Sequence, residues 1–479
     1  MKKNILLTCF MAAAYYFSFS QNVGIGTTTP AEKLHVAGNI KADTLKPTAL
    51  KLIPNAGAGK VLTSDFAGNA NWQTNNATAA GNVGFGVWGD CATNGNISEY
   101  NPVVDETTAG STNFGVSVSI SGDFAIVGSP GDFVGAGSIS IYQYDGTNWV
   151  FMQKITDATG SGPAKFGCSV SISGNYAIAG SFSDKIGANS LQGSASIYKY
   201  NGSSWVLMQK LTESTGAAGD YFGLSVSISG NYAIVGVPFD DKVVPSNGGS
   251  AIIYQTDGIS WTQLQKMVDI TGAANDNFGY SVSISATYAI VGASSDDVGA
   301  NVGQGSARIF QRIGQIFFGM QQIVDGTGAA GDNFGTRVSI SGDYAIVGAP
   351  YDDIGANADQ GSASIYKYNG TNWVMMEKKT DGTGGAGDNF GYSVSISGSN
   401  AIVGAWGHDV GTNVGQGSAC IFQRIGYGWQ RLQYVADPGG NPNDSFGYST
   451  TIDGATKRFL NGAIGYAGGR GKVVFGKIN

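Results

Sequence analysis

Phe-Gly recurs seven times along this chain, at Phe114, Phe166, Phe222, Phe278, Phe334, Phe390 and Phe446. The first interval is 52 residues and the next five are 56 each. A fixed period of this size means that one supersecondary unit is reused, each copy burying its apolar surface against the next. Every copy carries the same text, clearest as FGTRVSISGDYAIVGAPYDD followed by GSASIYKYNGTNWVMMEKKTD between Phe334 and Asp381. Four short β-type runs fit in each unit, so seven units predict seven sheets. The expected fold is all-β, a seven-bladed β-propeller.

The unit beginning at Phe390 shows the strand pattern. Strand one, over 392–396, alternates Ser393 and Ser395 with Val394 and Ile396; strand two, over 400–403, is nearly all apolar, as in a strand covered on both faces. Strand three follows from Ser418 and strand four from about Trp429. Turns such as Tyr368-Asn369-Gly370-Thr371 join strands three and four as tight hairpins. Serines on the innermost strand are small enough for the crowded centre of a ring. The last unit stops where its third strand ends, while Asn94 to Asp105 reads as a fourth strand with no unit of its own. The N-terminal strand is therefore expected to complete the last blade and close the circle.

Lys2 and Lys3 precede an apolar stretch over 5–17, and Ser18-Phe19-Ser20 supplies a small-x-small pattern before Gln21. Residues 1–20 are expected to be a cleaved signal peptide, since the stretch is shorter than the ~20 residues that span a bilayer. No membrane span is expected after cleavage. The formal charge of −7 becomes −9 once the two lysines leave, and an acidic balance argues against a nucleic-acid partner. Cys91, Cys168 and Cys420 remain, an odd number that does not make a disulfide framework. Cys168 and Cys420 fall in non-adjacent units and are expected to be small buried hydrophobes.

Phe334-Gly335 and Gly348-Ala349-Pro350, with weaker versions in the other units, resemble the FG-GAP repeats of integrin α-subunit propellers and of many bacterial surface proteins. The resemblance runs from about Asn94 to Asn479 and implies adhesion or ligand recognition. Calcium-binding members of that family carry a D-x-D-x-D-G loop between strands one and two. Here that connection is a hairpin, as in Ile340-Ser341-Gly342-Asp343-Tyr344, and it cannot supply the six to eight oxygens Ca²⁺ takes. Upstream, residues 21–73 resemble the short β modules in stalks of phage tail fibres, often trimeric; trimerisation through this stalk is the corresponding expectation. Residues 74–90 read as a linker and 91–479 as the propeller.

Chemistry is sparse. His35 and His408 are the only histidines, so no His or Cys cluster offers a transition-metal site, and His408 reads as a solvated loop residue. Trp149, Trp205, Trp261, Trp373 and Trp429 open strand four, with Phe317 at the same place; that is a packing position. Charge is more informative. The loops between strands two and three share a face with those between strand four and the next strand one, and together hold 23 of the 34 acidic residues. Most lysines and arginines are expected on the opposite turns and the outer strands, leaving a strongly negative face.

These readings describe an exported, non-enzymatic cell-surface or extracellular protein. It is expected to recognise an extracellular protein or glycan through Asp240, Asp241, Asp296, Asp297, Asp352, Asp353, His408 and Asp409. Weak calcium binding is expected at Asp352, Asp353, Asn357 and Asp388, outside the family's usual loop. The alternative is a polysaccharide-acting propeller enzyme that uses loop carboxylates.

Overall fold

The computed structural model describes residues 23–25, 34–36, 60–64, 70–74, 97–105, 110–157, 162–241 and 248–479. The chain divides into two compact units, Met1–Gly86 and Val87–Asn479. In the first, Val23–Ile25 pairs in parallel with Leu34–Val36, and Lys60–Ser64 pairs antiparallel with Ala70–Thr74. The leader and the basis for trimerisation lie outside the described residues.

The second unit holds seven four-stranded antiparallel sheets. In blade 5 the strands run from the centre outward as Arg337–Ser341, Tyr344–Ala349, Ser362–Tyr368 and Trp373–Lys379. Six sheets are built from consecutive strands. The seventh takes Phe446–Asp453, Arg458–Ala463 and Lys472–Ile478, and its outer strand is Ile97–Val103, with Val103 opposite Val473 and Tyr100 opposite Gly476. The ring is closed by the N-terminal strand, as its spacing from the first Phe-Gly requires.

No blade has a core of its own. One cluster joins Ile290 and Ile309 of blade 4 to Val338, Val347, Tyr366 and Trp373 of blade 5. Another joins Leu460, Val473 and Phe475 of blade 7 to Val118, Val127, Tyr142 and Trp149 of blade 1. All seven motif phenylalanines are fully buried, each worth ~1.5–3 kcal/mol relative to exposure. The strand-four tryptophans are buried as well, so they pack between blades.

The two motif glycines have a shared steric cause. Gly335 has φ +93°, and a Cβ on it would lie 2.2 Å from the Ser306 carbonyl of the preceding blade. A Cβ on Gly348 would lie 2.0 Å from the Gly391 carbonyl of the next blade. Backbones of neighbouring blades touch where side chains cannot fit. The innermost serines contribute more than small size. Ser119, Ser171, Ser227, Ser283, Ser339 and Ser395 each accept the backbone N–H of an isoleucine in the next blade at 3.1–3.2 Å.

Candidate functional site

The loop face is not the bare acidic surface that residue placement along the chain suggests. Lysines on the outermost strands extend onto it. In blade 5 the Lys378 ammonium lies 2.7 Å from Asp325 Oδ2, at the end of blade 4, and 2.5 Å from Asp352 Oδ2 in its own blade. Ser362 Oγ donates to Asp352 at 2.5 Å. Burial works against the Lys378 charge, but the two carboxylates outweigh it and hold its pKa above the ordinary lysine value. The arrangement repeats with Lys210 between Asp157 and Asp184, Lys266 between Glu213 and Asp240, and Lys154 between Asp105 and Asp132. The last of these spans the closure between blades 7 and 1.

Where the lysine is missing, another cation replaces it. In blade 4 Gln322 donates to Asp296 at 2.8 Å, and Arg308, directly across the sheet from Gln322, reaches Asp269 at 2.7 Å. In blade 6 Tyr434 occupies the lysine position and contacts His408 Nδ1 at 2.9 Å, while Arg431 meets Asp381 at 3.0 Å. Between blades 6 and 7 Lys472 pairs with Asp437. Every junction thus carries a cation on a buried carboxylate. Among the expected ligand residues, Asp240, Asp296, Asp352 and His408 are the buried members of these junctions. His408 is 8% exposed; it stands where other blades have aspartate and is not a solvated loop residue.

Their chain neighbours do face solvent: Asp241, Asp297, Asp353 and Asp409 are exposed. Three of these carboxylates brace their own loops, accepting from the Gly303, Asp359 and Gly415 backbones at 2.8–2.9 Å. Val302 and Val414, at equivalent positions of two of these loops, are 67% and 62% exposed, and Leu191, one place further along the corresponding loop of blade 2, is 39% exposed. The face therefore presents alternating acidic and apolar groups on a rigid base.

The expected calcium set is divided. Asp352 interacts with Asp332, whereas Asp388 lies beside His408 and Asp381. Asn357 Nδ2 donates to Gln360 and Gly384. Among the described residues, the carboxylates that come within 4.8 Å of one another as a set are Asp220, Asp240 and Asp241. Asp220 and Asp276 have pKa values pushed up to about 6, first by burial and then by neighbouring carboxylates, against a backbone N–H bond that lowers them. Lys266 already pairs with Asp240, so an ion there would compete with an internal cation.

A second candidate lies at the centre of the ring, in a cavity of about 460 Å³. Its lining includes Lys165, Cys168, Tyr280, Arg337, Tyr392 and Tyr448. Burial pushes the Cys168 thiol up to about 11, so it is not an activated nucleophile. Among the described residues, the lining contains two cations and no Asp, Glu or His. Tyr280, Arg337, Tyr392 and Tyr448 were not singled out in the sequence, although aligning the positions just after each Phe-Gly exposes them.

Seven seam-joined blades around a central cavity define a closed β-propeller. The family described as FG-GAP repeat matches residues 149–198, 205–254, 261–310, 318–366 and 373–422. These segments make up just over half of the chain, which belongs to that family. Each matched segment runs from strand four of one blade through strand three of the next, so each spans one junction. No curated protein matches the chain as a relative.

Proposed function

We propose that this is an exported recognition or adhesion protein, displayed at the cell surface or released, that binds an extracellular protein or glycan through its loop face. The observation that carries the reading is the division of labour within each loop. One aspartate is buried in the junction between blades, and the next residue points out: Asp240 and Asp241, Asp296 and Asp297, Asp352 and Asp353. A rigid scaffold presenting variable side chains suits recognition, and exposed apolar side chains among the carboxylates suit a macromolecular partner. No helix among the described residues is long and apolar enough to cross a membrane. Among the described residues, the central cavity offers cations and phenols without a carboxylate pair, which favours binding over glycoside hydrolysis.

The test is a glycan and extracellular-protein array probed with the purified chain and with two variants. One variant combines Asp297→Asn, Asp353→Asn and Asp409→Asn; the other combines Val302→Ser and Val414→Ser. We expect selective binding that falls at least tenfold in one or both variants, with unchanged melting. Polysaccharide turnover abolished by a single carboxylate substitution, or array binding untouched by both variants, would overturn the reading.

A further inference from the structure

The second residue after each Phe-Gly is serine in six blades: Ser117, Ser169, Ser225, Ser281, Ser393 and Ser449. Each hydroxyl donates to the motif-glycine carbonyl of the next blade at 2.6–2.8 Å. The fifth blade has Arg337 instead. Its side chain makes no such bond. It lines the central cavity, with its guanidinium carbon 5.4 Å from the Tyr392 ring centre and 5.9 Å from that of Tyr280. Nη1 donates to the Thr336 carbonyl at 2.9 Å, and among the described residues no carboxylate pairs with Arg337. The Tyr392 and Tyr448 hydroxyls meet at 3.0 Å beside it. Tyr280, Tyr392 and Tyr448 occupy the position where blades 1, 2 and 3 have Val116, Cys168 and Leu224.

We propose that the central cavity is a binding site for the carboxylate of a small hydroxylated molecule, either the acidic end sugar of a glycan or a free hydroxy acid. A guanidinium pairs with a carboxylate through two parallel N–H bonds. The flanking rings limit its rotation and give a sugar ring or carbon chain a face to lie on. The tyrosine hydroxyls donate to the ligand's remaining oxygens. About 460 Å³ falls in the range of small-ligand pockets, roughly 300–1,000 Å³. Arg337 and Lys165 make this a positive recess in a chain of net charge −7. The acidic loops around the mouth admit a monoanion and disfavour phosphates of higher charge. The site opens on the loop face and refines the reading above by naming a ligand class, but it is built from different residues.

The full chain is titrated with glucuronate, glucose and lactate, following its intrinsic fluorescence, because Trp406 lies 5.9 Å from Tyr392. Saturable glucuronate binding with none for glucose is the expected result. Lactate binding as well assigns a free hydroxy acid, and its failure assigns a sugar acid. Arg337→Ser installs the residue of the other six blades, so it retains the fold; it should weaken glucuronate at least tenfold while leaving the melting temperature equal or higher. Tyr392→Phe should weaken it about threefold. Equal affinity for glucose and glucuronate, no saturation by either acid at tens of millimolar, or full affinity in Arg337→Ser would overturn the proposal. The Asp297/Asp353/Asp409 variant should keep its glucuronate affinity. Loss of array binding there, with an inert cavity, refutes this site and leaves the loop reading standing; the converse refutes the loop reading alone.

Discussion

Replacing Lys378 with glutamine tests whether the junction cations hold the ring together. The side chains of Asp325 and Asp352 are 1% and 6% exposed, and that of Lys378 is 21% exposed. Breaking a buried ion pair by removing one partner costs ~3–5 kcal/mol, because a buried charge is left alone. Two features place Lys378→Gln at the lower end. The ammonium is one-fifth exposed, and glutamine retains a donor for Asp352, as Gln322 has for Asp296 at 2.8 Å. The loss then falls on Asp325, which keeps only the Thr327 N–H and hydroxyl at 2.9 and 2.8 Å. A cost of about 3 kcal/mol follows. At ~2.1 cal/mol/K of unfolding entropy per residue, a propeller of this length should melt about 4 °C lower.

The chain already contains the rescue. Arg308 sits across the sheet from Gln322, and Ser364 sits across from Lys378 at the same place in blade 5. Lys378→Gln combined with Ser364→Arg therefore rebuilds the blade 4 solution in blade 5. The double variant should regain most of the lost stability, while Ser364→Arg alone adds a second cation and gains nothing. Thermal melts and guanidinium unfolding of the four proteins form a double-mutant cycle. A melting temperature within 1 °C of wild type for Lys378→Gln would show that the pair is not a net contributor. A double variant no better than the single would show that the cation cannot be moved between the two strands.

Three further outcomes are expected. Deleting residues through Gly86 should leave the propeller monomeric, whereas deletion through Asp105 strips the outer strand from blade 7 and should give aggregated protein on size-exclusion chromatography; a stable monomer after the longer deletion refutes closure. Asp220 has a folded-state pKa of about 6, above the ordinary carboxylate value, so the folded state binds the extra proton and stability should fall as pH rises from 4 to 6. Asp220→Asn should flatten that slope and raise the melting temperature at pH 8; an unchanged slope would place the Asp220 pKa near its unfolded value. Millimolar calcium should raise the melting temperature by less than ~1 °C, because lysines already neutralise the buried carboxylates. A rise of several degrees, lost in Asp220→Asn, would instead put an ion on Asp220, Asp240 and Asp241.

Strands, blade number and ring closure were legible because their signals are local. Alternation in Ser393 to Ile396 fixes one face of a strand, and a Phe-Gly every 56 residues marks where each sheet begins. The junctions were not legible in the same way. Lys154, Lys210, Lys266 and Lys378 lie on outer strands, and only the length of the lysine stem carries their charge onto the loop face. A register signal was present nonetheless. Asp240 precedes Lys266 by 26 residues, as Asp184 precedes Lys210 and Asp352 precedes Lys378. A run of acids therefore gave a sound location for the face and an inflated estimate of its free charge.

Comparing blades within this one chain separates two kinds of departure from the repeat. When blade 4 loses its lysine, Arg308 appears opposite; when blade 6 loses it, Arg431 appears on the same strand. The second inter-blade clamp behaves likewise. Gln153, Gln209, Gln265 and Gln321 each bond both the N–H and the carbonyl of the next blade's strand-four aromatic residue. Where Glu377 replaces the glutamine and can only accept, Lys379 donates to the Trp429 carbonyl in its place. These changes preserve one physical requirement with different residues, so they report on the fold. Arg337 is of the other kind. It removes a hydroxyl that six blades use to join their neighbours, and no described side chain takes over the bond to Gly391. A structural requirement has been given up there, and what replaces it is a cation and aromatic rings facing an open cavity. That is the pattern expected where ligand binding, and not ring assembly, sets the residue.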